Sequence, residues 1–272
     1  MDDTTLAVPA AINLGSRSAF PWRGLGWVLL PCVAPAIVLL AWAGAVQLDL
    51  VSRQVLVPPG QVLTAFLQLA RSGELSRHLL KSLMRLGVGF AVGGSLGLAL
   101  GVAMGGSRRI EEVVHPFFSV VRQVPSIALI PALILILGIE EGFKIVIVAK
   151  ATFFPVALAA FRGVRSIPRH YLEVAAVHRV PRWLLATKVL VPATLPHVVA
   201  GVRTSLGRSW MVLVASELIA ADCGIGQMME MGRQMFRIDV VMVGVFLTGA
   251  IGLALDGSVR LVEKRLAPWK YR

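Results

Sequence analysis

Five charged side chains stand where an apolar chain has least reason to keep them: Lys150, Arg203, Arg208, Glu217 and Asp256. Each lies in a run that is otherwise predominantly apolar. A cation at the centre of a bilayer costs about 2.5–3.5 kcal/mol even on lenient scales, so each must face protein, water or an ion. Two chemistries answer that demand. Lys150 and Arg208 either pair internally with Glu217 or Asp256, or line a path that attracts an anion. In a path, Arg offers a planar fork to an oxyanion, and Lys a point charge. Lys150 sits roughly 10 Å down its run and Arg208 near the middle of its own. Gln123, Ser126 and Ser209 add neutral polar groups in the same zone. For Glu217 internal pairing is favoured over solute contact, and for Arg203 a snorkelling or capping role.

The second constellation is cytosol-like in chemistry although it separates two apolar runs: YLEVAAVHRVPRWLLATKVLVPATLP, residues 171–196. Pro168 suits the first turn of a short helix reaching about Arg179. Pro181 ends it, a second helix runs from Arg182 to about Val191, and Pro192 and Pro196 open the next span. Small residues (Ala175, Ala176) beside Glu173 and several bases make a surface that a partner can approach closely. An interfacial helix pair resting on lipid headgroups is the alternative.

Bond-making chemistry has no such constellation. The chain has no G-x-x-x-x-G-K-[ST] phosphate loop, no H-E-x-x-H and no nucleophile elbow. Cys32 and Cys223 are far apart and make neither a disulfide framework nor a metal site. No catalytic, metal-binding or cofactor-binding residues are expected on this chain. A membrane-embedded enzyme would need clustered catalytic groups at one depth, and a secondary transporter more intramembrane carboxylates than Glu217 and Asp256.

The elements that must position these groups follow from composition. The chain is 56% hydrophobic and 15% charged, against about 25% charged in a soluble domain. It therefore reads as an all-α integral membrane protein with about six spans of roughly 20 residues, near 25–46, 83–104, 124–139, 143–163, 195–220 and 239–259. The third is short and broken by Pro125 and Pro131. Residues 47–82 suggest two short amphipathic helices at the outer interface. Residues 1–24 form an N-terminal segment and 25–272 one membrane domain, with its main polar loop at 162–194. The net charge of +12 is explained by bases flanking the spans rather than by nucleic acid. Placing the N-terminus, the 105–121 and 162–194 loops and the C-terminal tail in the cytoplasm puts fifteen Lys and Arg there and seven opposite, which favours both termini inside. Gly89, Gly93, Gly97, Gly101 and Gly105 recur every four residues, giving one span a slowly wrapping groove for close helix packing.

The 171–196 stretch resembles the EAA loop of binding-protein-dependent ABC importer permeases. Glu173-Val174-Ala175 stands at its start and Val189-Leu190-Val191-Pro192 at its end, in register, with Arg179 at the position of the motif's glycine. SGELSRHLLKSLMRLGVGFAVGGSLGLALG (72–101), RQVPSIALIPALILILGIEEGFKI (122–145), LPHVVAGVRTSLGRSW (195–210) and ASELIAADCGIG (215–226) are similar to the aliphatic sulfonate, taurine and nitrate permeases. The resemblance implies a type I ABC importer permease fold in a bacterial inner membrane. It also implies a second permease copy, two cytosolic ATPase subunits carrying ATP and Mg, and a periplasmic substrate-binding protein. Glu173, Ala175, Ala176, Arg179 and Pro192 then belong to the ATPase-coupling surface. Gln123, Ser126, Lys150, Arg208, Ser209 and Glu217 are the candidate translocation path. Sulfonates are the expected cargo, with taurine, nitrate or another small anion as alternatives.

Overall fold

The computed structural model describes residues 23–50 and 56–266, and within the helices it leaves the side chains of residues 23–32, 169, 172, 182 and 186 undescribed. The 1–24 segment thus lies almost wholly outside the described residues. Every described element is helical. Two compact units divide near residue 53. The first contributes α1 (Arg23–Gln47), whose 25 residues reach about 37 Å at 1.5 Å each, enough for a hydrocarbon core of about 30 Å.

In the second unit α2 (Pro59–Arg71) is amphipathic, as expected for an interfacial helix. The second expected interfacial helix is not separate: its residues are the opening turns of α3 (Glu74–Gly106), because no breaker follows Gly73. Among the described residues, four helices are long and apolar enough to cross a membrane: α3, α6 (Glu141–Arg165), α11 (Ile238–Leu266) and the run from Trp183 to Ile219.

The third span and the 105–121 loop need correction. Residues 108–121 are not a loop but part of α4 (Arg108–Gln123), which joins α5 (Ile130–Leu137) through a short 3₁₀ turn as an apolar pair bent by 82°, the shape of a broken span or a re-entrant loop. Pro125 sets the bend. It pushes Val124 into extended backbone (φ −68°, ψ 117°), the conformation a residue before proline favours. The fifth span is corrected too. Helix α8 (Arg182–Leu185), a π-helical turn at Ala186–Leu190 and α9 (Val191–Ile219) are continuous. Pro192 falls in the first turn of α9, where its missing N–H is tolerated, so it does not break the helix. Helix α7 (Arg169–Val177) precedes this run, and α10 (Ile225–Gln234), absent from the sequence reading, precedes α11.

The glycine stripe is spent inside the chain. A Cβ at Gly93 would stand 2.1 Å from the Ala149 carbonyl oxygen, and one at Gly101 2.2 Å from that of Ala157. Helices α3 and α6 therefore pack backbone to backbone, which suits a solvent that offers no hydrophobic drive between helices. The stripe gives no argument for a second copy. Leu86, Phe143, Ile147, Trp210, Leu213 and Ile225 form the core where α3, α6, α9 and α10 meet.

Candidate functional site

The intramembrane charges sort into two settings. Near the Glu141 end of α6, Arg85 (2% exposed) reaches two carboxylates at once. Its Nε and Nη2 donate to Glu141 at 2.6 and 2.7 Å, and its Nη1 to Glu217 at 2.8 Å and to the Cys223 carbonyl. Ser82 donates to Glu217 at 2.8 Å, and the Gly226 N–H donates to Glu217 at 3.1 Å. The Gly224 N–H donates to His78 Nδ1 at 3.0 Å. Gly224 adopts φ +133°, and a Cβ there would lie 2.4 Å from the Glu217 carboxyl carbon. The cluster ties α3, α6, α9 and the α9–α10 turn together. Glu217 is buried within this cluster, the internal pairing favoured for it from the sequence, and is not among the residues that line the cavity described below. Arg203 is likewise committed: it pairs with Asp256 of α11 at 2.5 and 2.7 Å.

With both acids engaged, Lys150 and Arg208 do not pair with them. Lys150 instead donates to the Val124 carbonyl at 2.7 Å, an acceptor freed where Pro125 ends α4, and its ammonium sits 5.6 Å from the centroid of the Phe154 ring. Arg208 is exposed on α9. Both line a cavity of about 690 Å³ between the α4–α5 bend, α6 and α9. Arg122, Arg162, His197 and Ser126 also line it, and no Asp or Glu does. Arg122, Arg162 and Arg208 make no ion pair among the described residues.

Two contacts between α6 and α9 fix the levels within this cavity. Thr152 and Ser209 share a hydrogen bond of 2.7 Å between α6 and α9, which sets Lys150 and Arg208 within about 5 Å of one level, Lys150 being about 14 Å below the Glu141 end of α6. A Cβ at Gly163 would be 3.1 Å from His197 Cβ, which sets Arg162 beside His197 roughly 18 Å further along. Ser126, Lys150 and Arg208 are thus brought together. Ser209 is not in the lining: it is fully buried against Thr152. Gln123 is exposed at the end of α4 outside the cavity. Arg122, Arg162 and His197 were missed, although Lys150, Phe154, Leu158 and Arg162 repeat every four residues and mark one face of α6.

The polar loop has its own geometry. Helix α7 closes with the Val180 N–H bonded to the Ala175 carbonyl (2.9 Å) and the Arg179 N–H to the Ala176 carbonyl (3.1 Å), the paired bonds of a Schellman end. Arg179 holds the left-handed residue of that motif, φ +51°, where glycine is usual and another residue costs about 1–2 kcal/mol. Arg thus keeps the glycine-like turn. Glu173, Ala176, Arg179 and Pro192 are exposed, with Val177 and Trp183 beside them, whereas Ala175 is buried.

Comparison places this architecture. The model of the binding-protein-dependent transport system inner membrane component family matches residues 93–268. A protein named as an aliphatic sulfonates transport permease of Bacillus subtilis (strain 168) is 36% identical over 245 residues, 90% of this chain and 88% of its own. Its counterpart of the same name in Escherichia coli (strain K12) is 38% identical over 245 residues, 89% of this chain and 93% of its own. The taurine transport system permease protein of that organism is 33% identical over 258 residues, 93% of this chain and 94% of its own. Among solved structures, the inward-facing MetNI methionine ABC transporter matches with a TM-score of 0.55 and 21% identity over 71% of this chain and 98% of that one. A bacterial alginate ABC transporter matches with a TM-score of 0.63 and 14% identity, over 89% and 96%. With that match covering most of the chain and these identities over nearly its whole length, the chain belongs to the binding-protein-dependent transport system inner membrane component family.

Proposed function

We propose that this chain is the translocating half of an ATP-driven importer of organic sulfonates, and that the anion crosses through the cavity between α6 and α9. The carrying observation is the lining itself: Arg122, Lys150, Arg162 and Arg208 with no carboxylate. The names of the relatives at 36% and 38% identity point to the same cargo.

Exposed cations at this depth do not face lipid at a cost of about 2.5–3.5 kcal/mol each. A second copy of the chain covers that face, so that two cationic walls enclose one path. The exposed end of α7 (Glu173, Ala176, Arg179) and the start of α9 at Pro192 receive a cytosolic ATPase, where ATP and Mg are bound, and Ala175 packs beneath that surface. Both termini lie in the cytoplasm, and a periplasmic binding protein delivers the anion at the Glu141 end of α6. The test is reconstitution of the permease with its ATPase and binding protein in vesicles. Two permease copies per ATPase pair and ATP-dependent uptake of radiolabelled ethanesulfonate are expected. Uptake of an amino acid or sugar but no sulfonate would refute the reading.

A further inference from the structure

We infer that Phe236, at the turn between α10 and α11, is a rigid apolar knob on which the loaded substrate-binding protein docks. The inference rests on the importer reading and names the contact that its delivery step uses. Among the described residues, three non-glycine residues hold a positive φ: Asp49, Arg179 and Phe236. Asp tolerates that conformation, whereas a bulky side chain there is an outlier. Phe236 holds it for the same reason as Arg179. Helix α10 closes with the Arg237 N–H bonded to the Gly232 carbonyl (2.8 Å) and the Phe236 N–H to the Arg233 carbonyl (3.1 Å). Phe236 (φ +55°) is thus the left-handed residue of a second Schellman end, where glycine is usual. The chain keeps a phenyl ring there and leaves it 90% exposed. Strained backbone and bare ring are both costs that packing within the chain does not offset.

Lipid tails do not cover this ring. Arg203 pairs with Asp256, and Trp210 donates to the Thr248 carbonyl, so the rise from Arg203 to Trp210 on α9 matches that from Asp256 to Thr248 on α11. The same step carries Glu217 level with about Val240 and leaves Phe236 roughly 6 Å farther out. Glu217 shares Arg85 with Glu141, which also meets Lys81 at 3.5 Å, both side chains nearly half exposed. Charges so exposed do not sit in hydrocarbon, so the tails end near this level and Phe236 stands beyond it. The headgroup belt favours Trp and Tyr, whose rings carry a polar group; phenylalanine has none. The surroundings of the ring suit a protein instead. Met231 and Met235, exposed one helical turn apart, extend the apolar patch. Glu230–Arg233 and Arg237–Asp239 edge it with charges already paired. An adaptable apolar centre inside a polar rim is the anatomy of a docking surface. The partner is therefore a water-soluble protein with an apolar pocket, and on this face the binding protein is the one that arrives.

The experiment uses the permease–ATPase complex in lipid nanodiscs and its binding protein loaded with ethanesulfonate. With Phe236 replaced by photoreactive benzoylphenylalanine, irradiation should cross-link the permease to the binding protein. Cross-links to lipid or to a second permease copy, with none to the binding protein, overturn the knob. Phe236→Gly suits the left-handed turn, so assembly and thermal stability should hold. Affinity for the binding protein should fall about tenfold or more, and uptake in vesicles should need correspondingly more binding protein while its maximal rate is unchanged. Phe236→Tyr, which keeps the ring, should bind as the unsubstituted complex does. Unchanged affinity in Phe236→Gly overturns the inference. If the unsubstituted complex neither holds the binding protein nor takes up sulfonate, the importer reading fails and the knob with it. If it does both and Phe236→Gly is indistinguishable from it, the knob alone falls.

Discussion

Arg85 and Arg208 both lie within membrane-spanning helices, yet their surroundings are opposite. Around Arg85 every polar atom is answered: two carboxylates, a serine hydroxyl and backbone groups close the cluster. Arg208 shares its cavity with three further cations and no acid. A satisfied cluster resists change and joins helices. An unsatisfied one can accept a charged guest. On the proposed function, the contrast separates the groups that hold this fold from those that serve transport, and four substitutions sharpen or break it.

Glu217→Ala should have the largest effect. It takes from Arg85, in a site 2% exposed, one of its two carboxylates and leaves Ser82 and the Gly226 N–H without their acceptor; breaking a buried pair costs up to about 3–5 kcal/mol. Folded, extractable permease should nearly vanish, as read by thermal unfolding in detergent. Normal yield with lowered uptake would instead put Glu217 in the path. Glu173→Lys comes next. Reversing a charge at a desolvated docking contact matters by about 2–5 kcal/mol. Coupled ATP hydrolysis and co-purification of the ATPase should both fall while the permease still inserts; intact coupling would remove Glu173 from that surface.

Lys150→Met should be milder. It removes one charge-assisted hydrogen bond to the Val124 carbonyl, about 1.5–3 kcal/mol, and with it a clamp on the α4–α5 bend. Unfolding temperature should drop modestly and uptake should fall more, since the same side chain faces the cavity. A change in stability with full uptake would make Lys150 structural alone. Arg179→Gly should be smallest and of opposite sign. It relieves a left-handed residue costing about 1–2 kcal/mol, less about 0.5–1 kcal/mol of added chain entropy. A slight gain in stability is expected, and a loss would mean that the Arg179 side chain holds the turn.

These two regions were not equally legible in the sequence. The all-helical membrane class, the amphipathic α2 and the helix that ends before Pro181 followed from apolar run length and from proline placement. The family motif ASELIAADCGIG held Glu217 and Gly224 together on paper, but not the reason. Their meeting with Arg85 joins residues 132 positions apart, which no local period encodes. Proline marked a real break at Pro125 and misled at Pro192. Pro125 bends a span because the residue before it leaves the helix, while Pro192 follows a π-turn and falls where a helix begins. Only the backbone around each distinguishes them. The glycine stripe was legible as a packing groove, but its partner, α6, was not. Lys150 and Arg208 were found as misplaced cations, and the helical period of α6 also carried Arg162. Arg122 and His197 needed the bend and the α6–α9 contact to bring them in.

The central claim is that the unpaired cations are the anion's path. It is tested most directly by ATP-dependent uptake of ethanesulfonate into vesicles holding permease, ATPase and loaded binding protein, compared between the unsubstituted chain and Arg122→Gln/Arg208→Gln. Each arginine offers an anion a charged hydrogen bond of about 1.5–3 kcal/mol, so turnover should fall at least tenfold while complex yield and thermal stability stay unchanged. Undiminished turnover by a fully assembled double variant would contradict the account.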